Sequence, residues 1–155
     1  MRKLQELHRD WDTTCRTIGW MAVAANYQVL YTKQTLDVPS PDTDVSAQMV
    51  AEVSQLIGRD LTAALKVDGL TFKRAQVLGF KGRPLIQIAY VNELGEPFAL
   101  CVIAMKDVAD QPAKVRAFSG LSAAHWKRDG FGYLLIGGKD NAAVADWAQD
   151  LQTEI

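Results

Sequence analysis

The sequence has no excess of charge of either sign. Seventeen Lys and Arg residues stand against eighteen Asp and Glu residues, so the formal net charge of the 155-residue chain is −1. Proteins with a dedicated nucleic-acid surface usually carry a basic excess, because contacts with phosphates supply much of their affinity. The composition therefore argues against such a surface, and we expect no nucleic-acid partner.

Cysteine is scarce, and patterns of metal ligands are missing. Only Cys15 and Cys101 occur, without a CxxC pair, which excludes zinc-ribbon and thioredoxin-type motifs. The histidines His8 and His125 fall on different predicted elements, and no set of Cys, His, Asp and Glu has metal-ligand spacing. We therefore expect no metal and no cofactor. Spacing alone leaves a Cys15–Cys101 disulfide open in an oxidising compartment.

Long apolar runs are missing as well. The best candidate, IGWMAVAANYQVLY, is shorter than the roughly 18 residues of a membrane helix and contains Asn26 and Gln28. The first residues, MRKLQELHRDWD, lack the apolar core of a signal peptide. We expect a chain that is soluble as it stands. Its composition, 48% hydrophobic and 23% charged, is that of a globular domain with a real core.

Residues 3–33 have the pattern of one long helix. No proline interrupts them, and two rows recur at heptad spacing: Leu4, Trp11, Ile18 and Ala25, and then Leu7, Thr14, Met21 and Gln28. Two interpretations stay open. Either the helix packs on its own domain, or its first half projects, since about 30 residues span ~45 Å and a domain of this size spans ~35–40 Å. Projection predicts a homodimer contact through Leu4, Leu7, Trp11, Ile18 and Met21.

A second and a third helix are predicted from caps and periodicity. The second covers residues 44–58, with Asp42, Thr43 or Asp44 as its cap and Gly58 as its end. RDLTAALKVDGL indicates a short helical turn and a loop. The C-terminal helix, DNAAVADWAQDLQTEI, is capped by Asp140 or Asn141, and its inner face is Val144, Trp147, Ala148 and Leu151.

Between these helices the apolar period changes to two, which is typical of strands. The runs are LTFKRAQVLGF, RPLIQIAYV, PFALCVIAM, a strand near Leu121–Lys127 and YLLI, whereas the polar stretch KDVADQPAKVR is interpreted as a connection. The predicted fold is α+β: an antiparallel sheet of about five strands, with the long N-terminal helix, the second helix and the C-terminal helix packed mainly on one face.

The glycine-rich stretch HWKRDGFGYLLIGG is interpreted as a hairpin. Asp129-Gly130 lies between two alternating runs, which is the strongest short-range hairpin signal. A two-residue turn there places Trp126 opposite Tyr133 and His125 opposite Leu134. A phosphate-binding loop would need its glycines after a strand and directly before a helix. Gly130 and Gly132 instead precede a strand.

A second tight hairpin at Lys81-Gly82 predicts a polar patch. Its register places Arg74, Gln76 and Gln87 on one face of the sheet. One interpretation is the solvent side of a half-covered antiparallel sheet. The other is a polar floor that binds a small anion or a segment of a partner protein.

No arrangement of residues indicates catalysis. His125 beside Trp126 fits a half-buried strand residue better than a catalytic base, and Ser119 lacks the GxSxG context of an activated serine. Cys101 lies in the apolar run FALCVIAM, where a cysteine behaves as a small hydrophobe. We expect no catalytic residues and no enzyme activity.

Several motifs together resemble a known family. They are WMAVAANYQVLYTKQTL, GLTFKRAQVLGFKGRPLIQIAYV, PFALCVI and GLSAAHWKRDGFGYLLIGG, followed by an amphipathic helix. In order and spacing they resemble the extracytoplasmic domain of proteobacterial transmembrane anti-sigma factors, also described as predicted transmembrane transcriptional regulators. The resemblance covers roughly residues 20–151. In that family a cytoplasmic domain, often with a His-x3-Cys-x2-Cys zinc motif, binds the sigma factor, and a membrane helix follows. This sequence contains neither.

The resemblance implies a non-enzymatic sensor domain in transcription regulation and signal transduction. It would lie on the periplasmic face of the inner membrane in its parent protein, with residues 1–36 as a stalk or packing helix and 37–155 as the sensor. It would pass a change of conformation or association along the N-terminal helix to the membrane. A regulatory protein partner would then be expected. The alternative is a soluble small-ligand-binding or protein-interaction module that uses Arg74, Gln76 and Gln87.

Overall fold

A computed structural model describes residues 19–31 and 35–155, which form an α+β fold with an antiparallel sheet. Helix α1 covers residues 19–29. The helices and strands that follow are α2 (Thr43–Ile57), a 3₁₀ helix (Thr62–Leu65), β1 (Thr71–Phe80), β2 (Arg83–Val91), β3 (Pro97–Ala104), β4 (Gln111–Phe118), β5 (Leu121–Arg128), β6 (Phe131–Gly137) and α3 (Asn141–Glu154). No helix in the described part is long and apolar enough to cross a membrane.

The described sheet has six strands in the order β1-β2-β3-β6-β5-β4, one more than the five runs that the sequence predicts. The additional strand is β4, most of which lies in the stretch KDVADQPAKVR that was interpreted as a connection. Almost all of its side chains are exposed, because β4 is an edge strand. Since neither of its faces is well buried, it lacks the apolar alternation by which strands are found in a sequence.

Helices α2 and α3 share one face of the sheet, as predicted, whereas α1 covers the opposite face, so the predicted packing mainly on one face is confirmed only in part. Helices α2 and α3 and the 3₁₀ helix share a core with Ile86, Ile88 and Leu100. Helix α1 shares a separate core with Leu85, Cys101 and other side chains of the opposite face. The central strands require this arrangement, because β2, β3 and β6 are buried at nearly consecutive positions and would otherwise expose one apolar face.

Both predicted two-residue hairpins are confirmed. Asp129 and Gly130 have φ values of 52° and 82°, and Lys81 and Gly82 have φ values of 49° and 74°, as a type I′ turn requires. Trp126 pairs with Tyr133 and His125 with Leu134, as predicted. In the other hairpin Gln76 pairs with Gln87 and Arg74 with Ala89. A bulge between Phe72 and Arg74 then places Phe72 opposite Tyr90. Without the bulge, the register from the turn would place Phe72 opposite the next residue, Val91.

The predicted caps and helix ends also agree with the structure in the main. Asp42 caps α2 by accepting a hydrogen bond from the Val45 backbone, and Gly58 ends the helix with a left-handed φ of 77°. Asp140 caps α3. Helix α1 ends at residue 29, four residues before the predicted end at 33. Beyond it, the Leu30 and Tyr31 amides bond to the Tyr27 and Gln28 carbonyls in a tighter last turn.

Candidate functional site

Helix α1 is fixed on the sheet by a row of side chains at helical spacing. Trp20, Met21, Ala24 and Ala25 are buried in the core of this face. The Trp20 ring lies over Gly132, where a Cβ atom would come within 3.0 Å of Cζ2. Of the residues predicted to form a dimer helix, Met21 therefore packs on the chain's own sheet. Leu4, Leu7, Trp11 and Ile18 lie outside the described residues.

One turn further along α1, apolar packing gives way to a polar cluster, which we define as Gln28, Tyr31, Arg74, Gln76 and Gln87. The Tyr31 hydroxyl donates to Gln87 Oε1 at 2.8 Å. Gln76 Nε2 donates to the Tyr31 oxygen at 2.9 Å and to Gln87 Oε1 at 2.5 Å. The Arg74 guanidinium stacks on the Tyr31 ring at 5.0 Å. The residue that follows the last turn of α1 is thus bound to β1 and β2.

The polar cluster contains buried atoms that the described protein atoms do not satisfy. Gln87 is 0% exposed and Gln28 is 3% exposed, yet Gln87 Nε2, Gln28 Oε1 and Arg74 Nε have no hydrogen-bond partner among residues 19–31 and 35–155. Rotating the Gln87 amide by half a turn would leave its Oε1 unpaired instead of its Nε2, so one atom of the amide would still lack a partner. Each unpaired buried group costs about 1–3 kcal/mol. This part of the interface therefore stabilises α1 less than a fully paired or apolar contact would.

These unpaired atoms define what could bind there. Among the described residues, Gln87 Nε2 and Arg74 Nε remain as donors and Gln28 Oε1 remains as an acceptor. A carboxylic acid, an amide or a water molecule carries groups that pair with atoms of these two kinds.

The structure brings the three predicted residues of the polar patch together but does not leave them on an open solvent face. Arg74 and Gln76 are half-buried, and Gln87 is fully buried beneath Tyr31. The sequence analysis did not assign Gln28 and Tyr31 to this patch. Gln28 did carry a signal, because it is a polar residue in an otherwise largely apolar heptad row. Tyr31 carried none.

The described cysteine and histidine, Cys101 and His125, lie outside the polar cluster. Cys101 is buried and free, as predicted, and burial raises the pKa of its thiol to about 12, so it stays protonated at neutral pH. Burial, and then the positive charges of Arg116, Lys114 and Lys127, lower the pKa of His125. Among the described residues no group of three His, Cys, Asp or Glu could hold a metal ion.

An open groove of about 1020 Å³ lies between the 3₁₀ helix, the start of β1 and the end of α3. Its rim carries Lys66 and the carboxylates of Asp68, Asp150 and Glu154, over an apolar floor that includes Leu70 and Leu151. The described lining has no His, Cys or Ser.

Comparisons with known proteins do not assign this site. No family model, no curated protein and no solved structure matches the chain. The function must therefore be argued from the residues and their geometry.

Proposed function

We propose that this chain is the non-enzymatic sensory and regulatory domain of a membrane-bound anti-sigma factor. In the parent protein it would lie on the periplasmic face of the inner membrane, and the sigma-binding and membrane segments would be outside this sequence. The ordered motifs between residues 20 and 151 support the family resemblance. The geometric observation that carries the proposal is the polar cluster, which holds the end of α1 and contains buried atoms that no described residue pairs with.

The proposed mechanism is a change in how α1 is bound to the sheet. Trp20 and Met21 hold the first described turn of the helix through apolar packing, whereas Tyr31 is held through hydrogen bonds that a bound molecule could compete for or complete. A signal that binds one arrangement more tightly shifts the population toward it. Because α1 precedes the sensor in the chain, its movement would be passed toward the N-terminal side, where the resembling family carries its membrane helix.

Transcription in the source cell tests this proposal. Deleting the gene should raise a set of transcripts that share one promoter sequence, because an anti-sigma factor represses its sigma factor, and a plasmid copy should reverse the change. A Gln87→Leu copy should repress but respond differently to inducing conditions, since it removes the centre of the polar cluster. A copy with exposed Glu93 changed to Gln is the matched control. Unchanged transcripts in the deletion strain, with and without inducing conditions, would contradict the proposal.

The second candidate function is a soluble small-ligand-binding or protein-interaction module. The atoms of Gln28 and Gln87 that lack a partner within the described residues support it, because binding sites orient a ligand through a few placed polar groups, whether or not the domain is attached to a membrane. An unchanged transcript profile, together with thermal stabilisation by a small carboxylic acid or amide that the Gln87→Leu variant loses, would favour this module over the regulator.

Pairing of two copies through the N-terminal helix is part of the first proposal. We expect the chain to sediment as a dimer at micromolar concentration and Trp11→Glu to sediment as a monomer, because a charge in an apolar stripe opposes burial. Exposed Val29→Glu on α1 is the control and should leave the dimer intact. Should the parent chain and Trp11→Glu both sediment as monomers, the pairing is wrong, and the stripe serves packing within one chain.

A further inference from the structure

A group of basic residues lies on the outer part of the sheet, on the face that carries α1. Lys114 pairs with His125, and Arg116 pairs with Ala123, which belongs to the α1-side core. Residues paired directly across strands share a face, as do residues two apart. Lys114, Arg116, His125 and Lys127 therefore point to the same side of β4 and β5, and we refer to these four residues as the basic face.

No acidic group neutralises the basic face within the described residues. The described ion pairs join Arg59 and Arg128 to Asp129. The nearby Asp110 carboxylate accepts a hydrogen bond from the Asp129 backbone instead. Arg116 stacks on the Phe118 ring at 4.6 Å. Lys127 is only 8% exposed and has neither an ion pair nor a hydrogen bond in the described part of the chain.

This arrangement costs stability in the free protein. Like charges close together repel, and the lowered pKa of His125 records the positive charges of Arg116, Lys114 and Lys127 after the effect of burial. Lysine is almost never buried without a partner. A cluster of one charge that the described residues leave unneutralised is typical of a site that binds the opposite charge. An anionic ligand beside Lys114 and Arg116 would lower the repulsion.

The position of the basic face on an edge strand restricts the shape of that ligand. Strand β4 pairs only with β5 and is the last strand of the described sheet. The bulge between Gln111 and Lys114 and the bond from the Ala113 amide to Gln152 Oε1 at 3.2 Å occupy its first part. From Lys114 to Phe118 the pairing with β5 is regular. This segment can therefore accept a further strand along its outer edge.

The spacing of the charges fits an extended ligand. Lys114 and Arg116 are two residues apart, so their side chains leave the strand about 6.6–6.8 Å from each other. Carboxylates at alternate positions of an added strand have the same spacing on the same face.

We propose that an extended acidic segment of a partner protein adds to the free edge of β4 and places alternate carboxylates against Lys114 and Arg116. Main-chain hydrogen bonds along residues 114–118 would supply the pairing, and the basic face would select acidic over neutral or basic segments. This inference does not depend on the proposed regulatory function, since an edge strand with a basic face can bind such a segment in any parent protein.

The test uses the full chain and a fluorescent peptide of alternating threonine and glutamate, ten residues long. Fluorescence anisotropy at low salt should show saturable binding that weakens as salt is added. The same peptide with glutamine in place of glutamate should bind at least about tenfold more weakly. Amide exchange at residues 114–118 should slow on binding, which charge attraction alone would not cause.

Matched variants separate the basic face from general charge. The double variant Lys114→Gln/Arg116→Gln should lower the affinity for the acidic peptide by at least about tenfold. The control Lys106→Gln/Lys139→Gln removes the same charge from other exposed sites and should change the affinity by no more than about twofold. No binding, or equal losses in both double variants, would overturn the proposal. Stronger binding of phosphatidylserine vesicles or single-stranded DNA than of the peptide would also overturn it. Binding without slowed exchange would overturn the strand addition.

Discussion

Trp20→Ala is expected to lower the free energy of unfolding by about 3–5 kcal/mol, the usual cost of removing a fully buried tryptophan. The side chain is 0% exposed and forms the centre of the α1 contact, where it covers Gly132 and lies in one core with Leu134 and Ile136. Alanine would leave a cavity that the rigid strands cannot fill. Urea denaturation followed by circular dichroism measures the loss.

Two further variants show whether packing is the cause. Val29→Ala on the same helix changes a side chain that is 46% exposed, so it should shift stability by no more than about 0.5 kcal/mol. Trp20→Phe should lower the free energy of unfolding less than Trp20→Ala, because phenylalanine keeps an aromatic ring in the core. It also removes the buried Nε1 donor, which has no partner among the described residues. A loss below about 1 kcal/mol for Trp20→Ala would mean that α1 is not held on the sheet through this residue.

Gly137→Ala is expected to lower the free energy of unfolding by about 2–3 kcal/mol, in the upper part of the usual range for overpacking. An added Cβ atom would lie 2.5 Å from Cδ1 of Phe98 and 2.6 Å from the carbonyl oxygen of Pro97. Gly137 pairs with Phe98 across β3 and β6, so relief would require these two central strands to separate. Phe98 cannot easily turn away either, because its ring packs edge-on against Trp147 at 5.0 Å.

A second strand glycine provides the control. At Gly79 in β1 an added Cβ atom meets nothing within 4 Å, and the residue has no positive φ. Gly79→Ala should therefore change stability by no more than about 0.5 kcal/mol, with a small gain expected because alanine restricts the unfolded chain. Both variants should be measured by urea denaturation at the same pH. Equal effects of the two substitutions would contradict the clash at Gly137.

Local features of the sequence were sufficient for most elements. Asp129-Gly130 and Lys81-Gly82 specify turns whose geometry fixes the register of the flanking strands. The caps at Asp42 and Asp140 satisfy amides within the next three residues, so they depend on nothing distant. For the same reason Arg74, Gln76 and Gln87 could be placed together from the turn between their strands.

The number of strands and the arrangement of the helices were harder to predict. Edge strand β4 is almost wholly exposed, so burial imposed no period on its residues. The sequence did contain a signal for the position of α1, but an analysis of helix and strand periods alone did not use it. PLIQIAYV and FALCVIA are apolar at nearly consecutive positions, and strands with both sides apolar require cover on both faces.

The fold class, both tight hairpins, the caps and the burial of Cys101 could be predicted from the sequence, because each depends on neighbouring residues or on the apolar content of one strand. That α1 lies on the face opposite α2 and α3 became clear from the packed structure. That contact brings Tyr31 to Gln76 and Gln87, which are 45 and 56 residues away. The polar cluster depends on it, since hydrogen bonds between such distant side chains form only after packing has fixed the helix on the sheet.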